Sequence, residues 1–177
     1  MEHFEEIKNY LQDEEWPLEY TDHDREIVRG IVFDDDGYFY FARLIRNDIF
    51  CNGRVVETSG GGVENGEELR KAIVRELKEE LGVDVEIVCK IGVVSDYYNL
   101  IHRHNINNYY LCKVVGFGEN HLTDDERDSF HLTTLKLTYE EALNEYEKCR
   151  DNKLGRLIAN RELPILKQAK LIMDSIR

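Results

Sequence analysis

The 177-residue sequence predicts an α/β fold, in which a mixed β-sheet lies between helices as an α/β/α sandwich. Three observations favour it. Strand-like segments lie on both sides of one central helical segment, helical patterns occur at both ends of the chain, and the length suits one domain with a sizeable core. We therefore expect a single domain over residues 1–177, without internal repeats.

The N-terminal segment, residues 1–24, is predicted to be a helical extension. Its apolar residues recur at helical spacing over residues 3–12, namely Phe4, Ile7, Tyr10 and Leu11. Strands are predicted over residues 26–33 and 38–45, where β-branched and aromatic residues flank a turn of three aspartates and a glycine. A short strand follows at residues 54–57.

Strands are also predicted over residues 85–94, 108–115 and 131–137, and helices in the C-terminal segment, residues 138–177. Thr138 and Glu141 have the spacing of a capping box at the start of the first helix. The second helix is expected over residues 162–176, with Pro164 in its first turn. Between two of the strands, an aromatic loop offers Tyr98 as a candidate for stacking on a substrate.

Residues 61–83 are the stretch around which the chain is organised. Consecutive glycines at positions 60–62 predict a tight turn. A helix then begins near Glu67, since apolar residues recur three and four apart, and Gly82 stands where a helix commonly ends.

Three carboxylates on this helix, Glu76, Glu79 and Glu80, project within an arc of roughly 100°. Carboxylates placed so closely repel one another, and converging oxygen ligands suit Mg²⁺ or Mn²⁺. The cluster by itself is also compatible with an ordinary exposed acidic helix.

The spacing of residues along the whole stretch decides between a metal site and an ordinary exposed acidic helix. Gly61, five residues, Glu67, seven residues and then the run from Arg75 to Val83 resemble a complete Nudix box, the signature of the Nudix hydrolases. The resemblance implies a Nudix-type fold and hydrolysis of a pyrophosphate bond in a nucleoside diphosphate linked to another moiety. Ser59 departs from the family pattern, in which proline often precedes the glycines.

Roles within the box follow from its chemistry. Glu76, Glu79 and Glu80 are the expected metal ligands, with the backbone carbonyl of Gly61 completing the set. Arg75 is expected to orient Glu76 through a forked hydrogen bond. The general base stays open between the three box carboxylates and an acid outside the box.

Candidates outside the box are less specific. Glu126, in an acidic loop, is the candidate for an outside base, with a solvated loop charge as the alternative. Three arginines that precede the box could contact a second phosphate or simply lie on the surface: Arg43, Arg46 and Arg54.

The charge balance limits the partners. Against 23 Lys and Arg stand 36 Asp and Glu, a net charge of −13, which disfavours nucleic-acid polymers and anionic membranes. A small phosphorylated substrate, such as a nucleotide derivative, remains compatible because a bound metal reverses the local field. Four cysteines without zinc-like spacing, and no long apolar run, favour a cytoplasmic protein. A homodimer is a further expectation.

Two other classes stay open. A Nudix-fold ligand sensor without turnover is one, although such proteins commonly lose box carboxylates and this chain keeps them. An isopentenyl-diphosphate isomerase is the other; it would need a catalytic cysteine, for which Cys51 is the nearest candidate. The sequence does not identify the substrate.

Overall fold

The structure is a computed structural model that describes residues 4–176. These residues form eight strands and three α-helices. The strands are β1 (Ile7–Tyr10), β2 (His23–Phe33), β3 (Phe39–Asn47), β4 (Asn52–Glu57), β5 (Ser59–Gly62), β6 (Val83–Tyr98), β7 (Arg103–Phe117) and β8 (Thr133–Leu137). The helices are α1 (Leu69–Leu81), α2 (Tyr139–Lys148) and α3 (Lys153–Ser175).

The strands form one mixed sheet in the order β1-β6-β7-β2-β3-β4, with β5 beside β2 and β8 beside β3. β1 is parallel to β6 and β2 is parallel to β7, whereas the other pairs are antiparallel. Because successive side chains of a strand point to opposite faces, β2 and β7 supply apolar residues to both sides of the sheet.

Two apolar cores lie on opposite faces of this sheet. One contains α1 residues such as Leu77 with Val28 of β2, and the other contains α2 and α3 residues such as Leu166 with Ile31 of β2. The predicted α/β/α sandwich is therefore confirmed.

Local signals set several helix boundaries as predicted. Gly82 ends α1 in the left-handed conformation, with φ of 67°, and its N–H donates to the carbonyl of Lys78 at 3.0 Å. At the start of α2, Thr138 and Glu141 form the expected capping box. None of the helices within residues 4–176 is long and apolar enough to cross a membrane.

The predicted N-terminal helix is wrong. Residues 7–10 form β1, which pairs in parallel with β6 so that Ile7 lies opposite Gly92. The helical spacing was misleading because Tyr10, assigned to the apolar face, is 80% exposed. Backbone pairing along the sheet edge determines this segment.

Two further boundaries differ from the prediction. Most of the expected aromatic loop belongs to β6 and β7, which a short 3-10 turn at Asn99–Ile101 connects. α3 begins at Lys153, where the Asn152 side chain accepts a hydrogen bond from the N–H of Gly155 at 2.8 Å. Pro164 consequently lies inside the helix and not in its first turn.

Candidate active site

The guanidinium of Arg75 holds the turn and the helix together. It donates to both carboxylate oxygens of Glu67 at 2.8 Å and to Glu76 at 2.7 Å. It also reaches Glu79 and the carbonyl of Gly62, each at 3.3 Å. The hydrogen bonds that Glu67 accepts from Arg75 and from the N–H of Glu64 lower its pKa to about 2, so Glu67 is ionised at neutral pH and braces the loop before α1.

Gly61 lies directly against the carboxylate of Glu76. A Cβ at position 61 would come within 2.5 Å of Glu76 Oε2, so any residue other than glycine would have to displace this carboxylate. Burial raises the pKa of Glu76, and the neighbouring Glu79 and Glu126 raise it further against the opposing effect of Arg75. The site thus holds a partly buried carboxylate in an acidic environment.

Glu80 is the most deeply buried of the three box carboxylates, with 8% of its surface exposed. Its Oε2 accepts hydrogen bonds from Ser59 Oγ at 2.5 Å and from the N–H of Gly60 at 3.3 Å. Burial raises its pKa to about 8, and repulsion from Glu57 and Glu126 adds to this shift. A nearby divalent cation would relieve that repulsion, so the donor set fits a metal.

The carboxylates do not already surround a common point. Within residues 4–176, no three His, Cys, Asp or Glu side chains are grouped closely enough to hold a metal ion. Arg75 binds the oxygens of Glu76 and Glu79, while Glu80 points to Ser59. Coordination by all three would require side-chain rotation, for which the exposed Glu79 has the most room.

Glu162 of α3 supports the segment directly before β5 from the α3 side of the sheet. Glu162, which has no exposed surface, accepts the N–H of Thr58 at 2.7 Å and the Thr58 hydroxyl. It also accepts the hydroxyls of Tyr109 at 2.7 Å and Tyr146 at 3.0 Å. Thr58 directly precedes Ser59, so α3 positions the segment that holds Glu80.

Tyr98 is a buried residue at the end of β6 and not a loop residue that faces a substrate. Its ring is 7% exposed, and its hydroxyl accepts a hydrogen bond at 2.8 Å from Arg161, a buried arginine that also pairs with Asp96 at 3.0 Å. A ring enclosed in this way does not present a face to a substrate. Stacking of Tyr98 on a substrate base is therefore wrong for this structure.

The three arginines expected at a second phosphate each contact a partner on the protein. None of these contacts involves a box residue. The pairs are Arg43 with Thr133 at 3.3 Å, Arg46 with Asp48 at 2.7 Å, and Arg54 with Glu145 at 3.4 Å.

Glu126 lies in a short π-helical turn at Asp125–Ser129, where its Oε2 accepts the N–H of Thr123 at 2.8 Å. Its charge contributes to the raised pKa values of Glu76 and Glu80, so the folded chain brings this distant acid into electrostatic range of the box. Cys51, in contrast, is buried, and burial raises the pKa of its thiol, which does not suit a catalytic thiolate.

Sequence reasoning missed the groups that support the box. Ser59 departs from the family pattern in the sequence, but no local signal shows that it bonds to Glu80. The adjacent charges of Arg161 and Glu162, which lie among apolar residues of the stretch 157–166, were the available signal for a buried ionic network.

Comparison with known proteins shows the family of this chain. The NUDIX domain model matches residues 23–152. An ADP-ribose pyrophosphatase of Methanocaldococcus jannaschii is 31% identical over 134 residues, which span 73% of this chain and 76% of that protein.

Solved structures show the same fold. A NUDIX hydrolase from Nitrosomonas europaea has a TM-score of 0.61 and 14% identity, over 86% of this chain and 90% of its own. A MutT NUDIX hydrolase from Burkholderia pseudomallei has a TM-score of 0.55 and 20% identity, over 67% and 86% respectively. With its complete box and the match over residues 23–152, this chain belongs to the Nudix family and is a pyrophosphohydrolase.

Proposed function

We propose that this pyrophosphohydrolase cleaves ADP-ribose, or a closely related nucleoside diphosphate linked to another moiety, with Mg²⁺ or Mn²⁺. The observation that carries the proposal is the buried Glu80 carboxylate, held by Ser59 and Gly60 beside Glu76 and Glu79. The relative named as an ADP-ribose pyrophosphatase supports ADP-ribose as the first substrate to test.

Glu76, Glu79, Glu80 and the carbonyl of Gly61 are the groups that would hold the divalent cation. When bound, such an ion neutralises phosphate charge and makes a water molecule more acidic. The raised pKa values of Glu76 and Glu80 fit this assignment, because both carboxylates lie in surroundings that favour a nearby positive charge.

The protein groups divide the remaining work. Arg75 keeps Glu76 oriented, while the hydrogen bonds from Ser59 and Gly60 fix Glu80. Glu126 is proposed as the base that takes a proton from the attacking water. The water oxygen then bonds to phosphorus and the bridging P–O bond breaks, so ADP-ribose yields AMP and ribose 5-phosphate.

The partner is proposed to be this small nucleotide derivative and not a nucleic-acid polymer, consistent with the net charge of −13. A homodimer and a cytoplasmic location remain predictions. Sedimentation velocity would decide the oligomeric state, and fractionation of the producing cells would decide the location.

The decisive experiment is product release with Mg²⁺ or Mn²⁺ across ADP-ribose, nucleotide sugars, dinucleoside polyphosphates, NADH, coenzyme A and nucleoside triphosphates. We expect Glu79→Gln and Glu80→Gln to lower turnover by orders of magnitude, because each keeps its size and loses ligand charge. Glu68→Gln, on the exposed start of the same helical segment, is the matched control. Wild-type rates in both box variants would contradict the site, and binding without turnover would favour a ligand sensor.

A further inference from the structure

A serine, a histidine and an aspartate lie on three neighbouring strands at the end of the sheet where β2 and β7 begin. Ser95 belongs to β6, His104 to β7 and Asp24 to β2. In the parallel pair of β2 with β7, Asp24 lies directly opposite His104. In the antiparallel pair of β6 with β7, the residue opposite His104 is Tyr97, two positions from Ser95. Opposite and diagonal positions share a face of the sheet, so the three side chains can meet.

Two hydrogen bonds join the three groups through the imidazole of His104. Its Nδ1 lies 3.0 Å from Asp24 Oδ1, and its Nε2 lies 2.5 Å from Ser95 Oγ. With the ring proton on Nδ1, that nitrogen donates to the carboxylate, and Nε2 is left to accept the serine hydroxyl. This is the order of contacts in a Ser-His-Asp triad, in which the acid and the nucleophile bind different ring nitrogens.

The ring of Tyr97 fixes the plane of the imidazole. The centroids of the Tyr97 and His104 rings are 4.7 Å apart, and the ring planes differ by 27°, as in a stacked pair. His104 therefore has one packing partner and two hydrogen-bond partners, which together select one orientation of the ring. A base held in this way is already aligned with the hydroxyl from which it would take a proton.

The group lies at the surface and apart from the box. The side chain of His104 is 20% exposed and that of Asp24 is 70% exposed, while Ser95 is partly exposed. Along β2, Asp24 is four residues from Val28, which packs under α1 and pairs with Gly61. Four residues of a strand span roughly 13 Å. The serine, the base and the acid thus form a second group of reactive side chains, distinct from the box carboxylates.

We propose that Ser95 is a nucleophile activated by His104 and Asp24, and that it hydrolyses activated carboxylic esters such as aryl esters of short acids. Ser95 Oγ bonds to the carbonyl carbon while its proton passes to His104 Nε2. The bond from that carbon to the aryl oxygen breaks, and the phenol leaves with this proton. His104 then takes a proton from water, whose oxygen bonds to the acyl carbon, and the acid is released as Ser95 regains its proton. An aryl ester fits this group because its alcohol leaves readily, so the reaction depends mainly on a nucleophile and a base.

The first test is covalent labelling of the wild-type protein by a fluorophosphonate in EDTA, which keeps divalent cations away from the box. The oxygen of an activated serine bonds to phosphorus and fluoride leaves, and peptide mass spectrometry locates the label. We expect the label on Ser95 and not on Ser175. The hydroxyl of Ser175 donates to the carbonyl of Ile172 at 2.7 Å, so Ser175 is a matched serine bonded to a carbonyl in place of a base.

Variants connect the label to the proposed roles. His104→Gln should slow both the labelling of Ser95 and the hydrolysis of p-nitrophenyl acetate about a hundredfold, because general-base catalysis is lost. Ser95→Ala should remove this hydrolysis, and Asp24→Asn should slow it by a smaller factor, because the aspartate acts only through the histidine. Asp22→Asn is the matched control, since this exposed carboxylate contacts His23, and it should leave both rates unchanged. Circular dichroism would show that each variant is folded.

A wild-type protein without a label on Ser95 would overturn the proposal, as would equal labelling of Ser95 and Ser175. A Ser95 label that forms at the wild-type rate in His104→Gln would also refute it. These outcomes do not depend on cleavage of ADP-ribose or on a bound metal. The ester-cleaving group is therefore tested separately from the proposed function.

Discussion

Replacing Glu162 by glutamine tests whether α3 supports the segment from Thr58 to Gly60, which holds Glu80. The native carboxylate accepts four hydrogen bonds, two from Thr58 and one each from Tyr109 and Tyr146. The glutamine amide keeps the size of the side chain but turns one acceptor oxygen into a donor. Because Tyr109 already accepts a hydrogen bond from Arg161, its own hydroxyl proton would have no acceptor.

The expected cost follows from these contacts. The Oε2 atom of Glu162 receives the hydroxyls of Thr58 and Tyr109, and it lies 3.8 Å from Arg161 Nη2. Losing two hydrogen bonds to a charged acceptor costs roughly 1.5–3 kcal/mol each. Some of this is recovered by rotation of the hydroxyls, so we expect the free energy of unfolding to fall by about 3–5 kcal/mol.

Urea unfolding measures the stability, and Mn²⁺ titration measures the consequence for the site. We expect weaker Mn²⁺ binding as well, because Thr58 precedes the residues that hold Glu80. Glu147→Gln, an exposed carboxylate paired with Arg150, should change stability by no more than about 1 kcal/mol. A Glu162→Gln protein as stable as this control would refute the reasoning, and normal Mn²⁺ affinity would refute its link to the turn.

Three other substitutions test the box directly. Gly61→Ala should abolish most activity while the chain stays folded, since the new Cβ would come within 2.5 Å of Glu76 Oε2; circular dichroism and turnover measure this. Ser59→Ala should lower the free energy of unfolding by about 1–3 kcal/mol through the lost hydrogen bond to Glu80, as urea unfolding would show; an unchanged value would contradict that bond. In metal-free protein, the Glu80 pKa of about 8 lies above its ordinary 4.5, so the folded state retains a proton that the unfolded state releases between these values. The contribution of this group to the free energy of unfolding therefore declines as pH rises through that window. In urea unfolding, the free energy of unfolding of Glu80→Gln minus that of the wild type should be larger at high pH than at low pH. A difference that does not change with pH would contradict this.

The sequence predicted best what depends on short spacing. The left-handed Gly82 and the capping box of Thr138 and Glu141 are each specified within a few residues, so they could be predicted without the fold. The tight turn predicted at glycines 60–62 is wrong, because these residues belong to β5, which pairs antiparallel with β2. The alternation of strands and helices likewise indicated a mixed sheet between helices.

The N-terminal segment was predicted incorrectly because pairing with a distant strand determines its secondary structure. β1 exists because Ile7 lies opposite Gly92, and no signal within residues 3–12 shows that a partner strand is present. A strand segment with apolar residues at chance helical spacing is then mistaken for a helix. The early start of α3 was missed for a different reason, because Gly155 interrupts its first turn and obscures the capping side chain of Asn152.

The same division applies to the site. The carboxylates of the box are adjacent in sequence, whereas the groups that position them come from 21 residues away for Ser59 and Glu80 and from 104 for Thr58 and Glu162.

The NUDIX domain model ends at residue 152, yet α3 begins at Lys153 and supplies Glu162 to the turn. The segment that carries the box is therefore not supported by the matched region alone. The box carboxylate Glu76 lies on the α1 side of β5, against Gly61. On the other side, Glu162 of α3 bonds to Thr58, the residue directly before β5. Changes in α3 should therefore affect metal binding at the box as well as stability, because Glu162 bonds to Thr58, directly before the residues that hold Glu80.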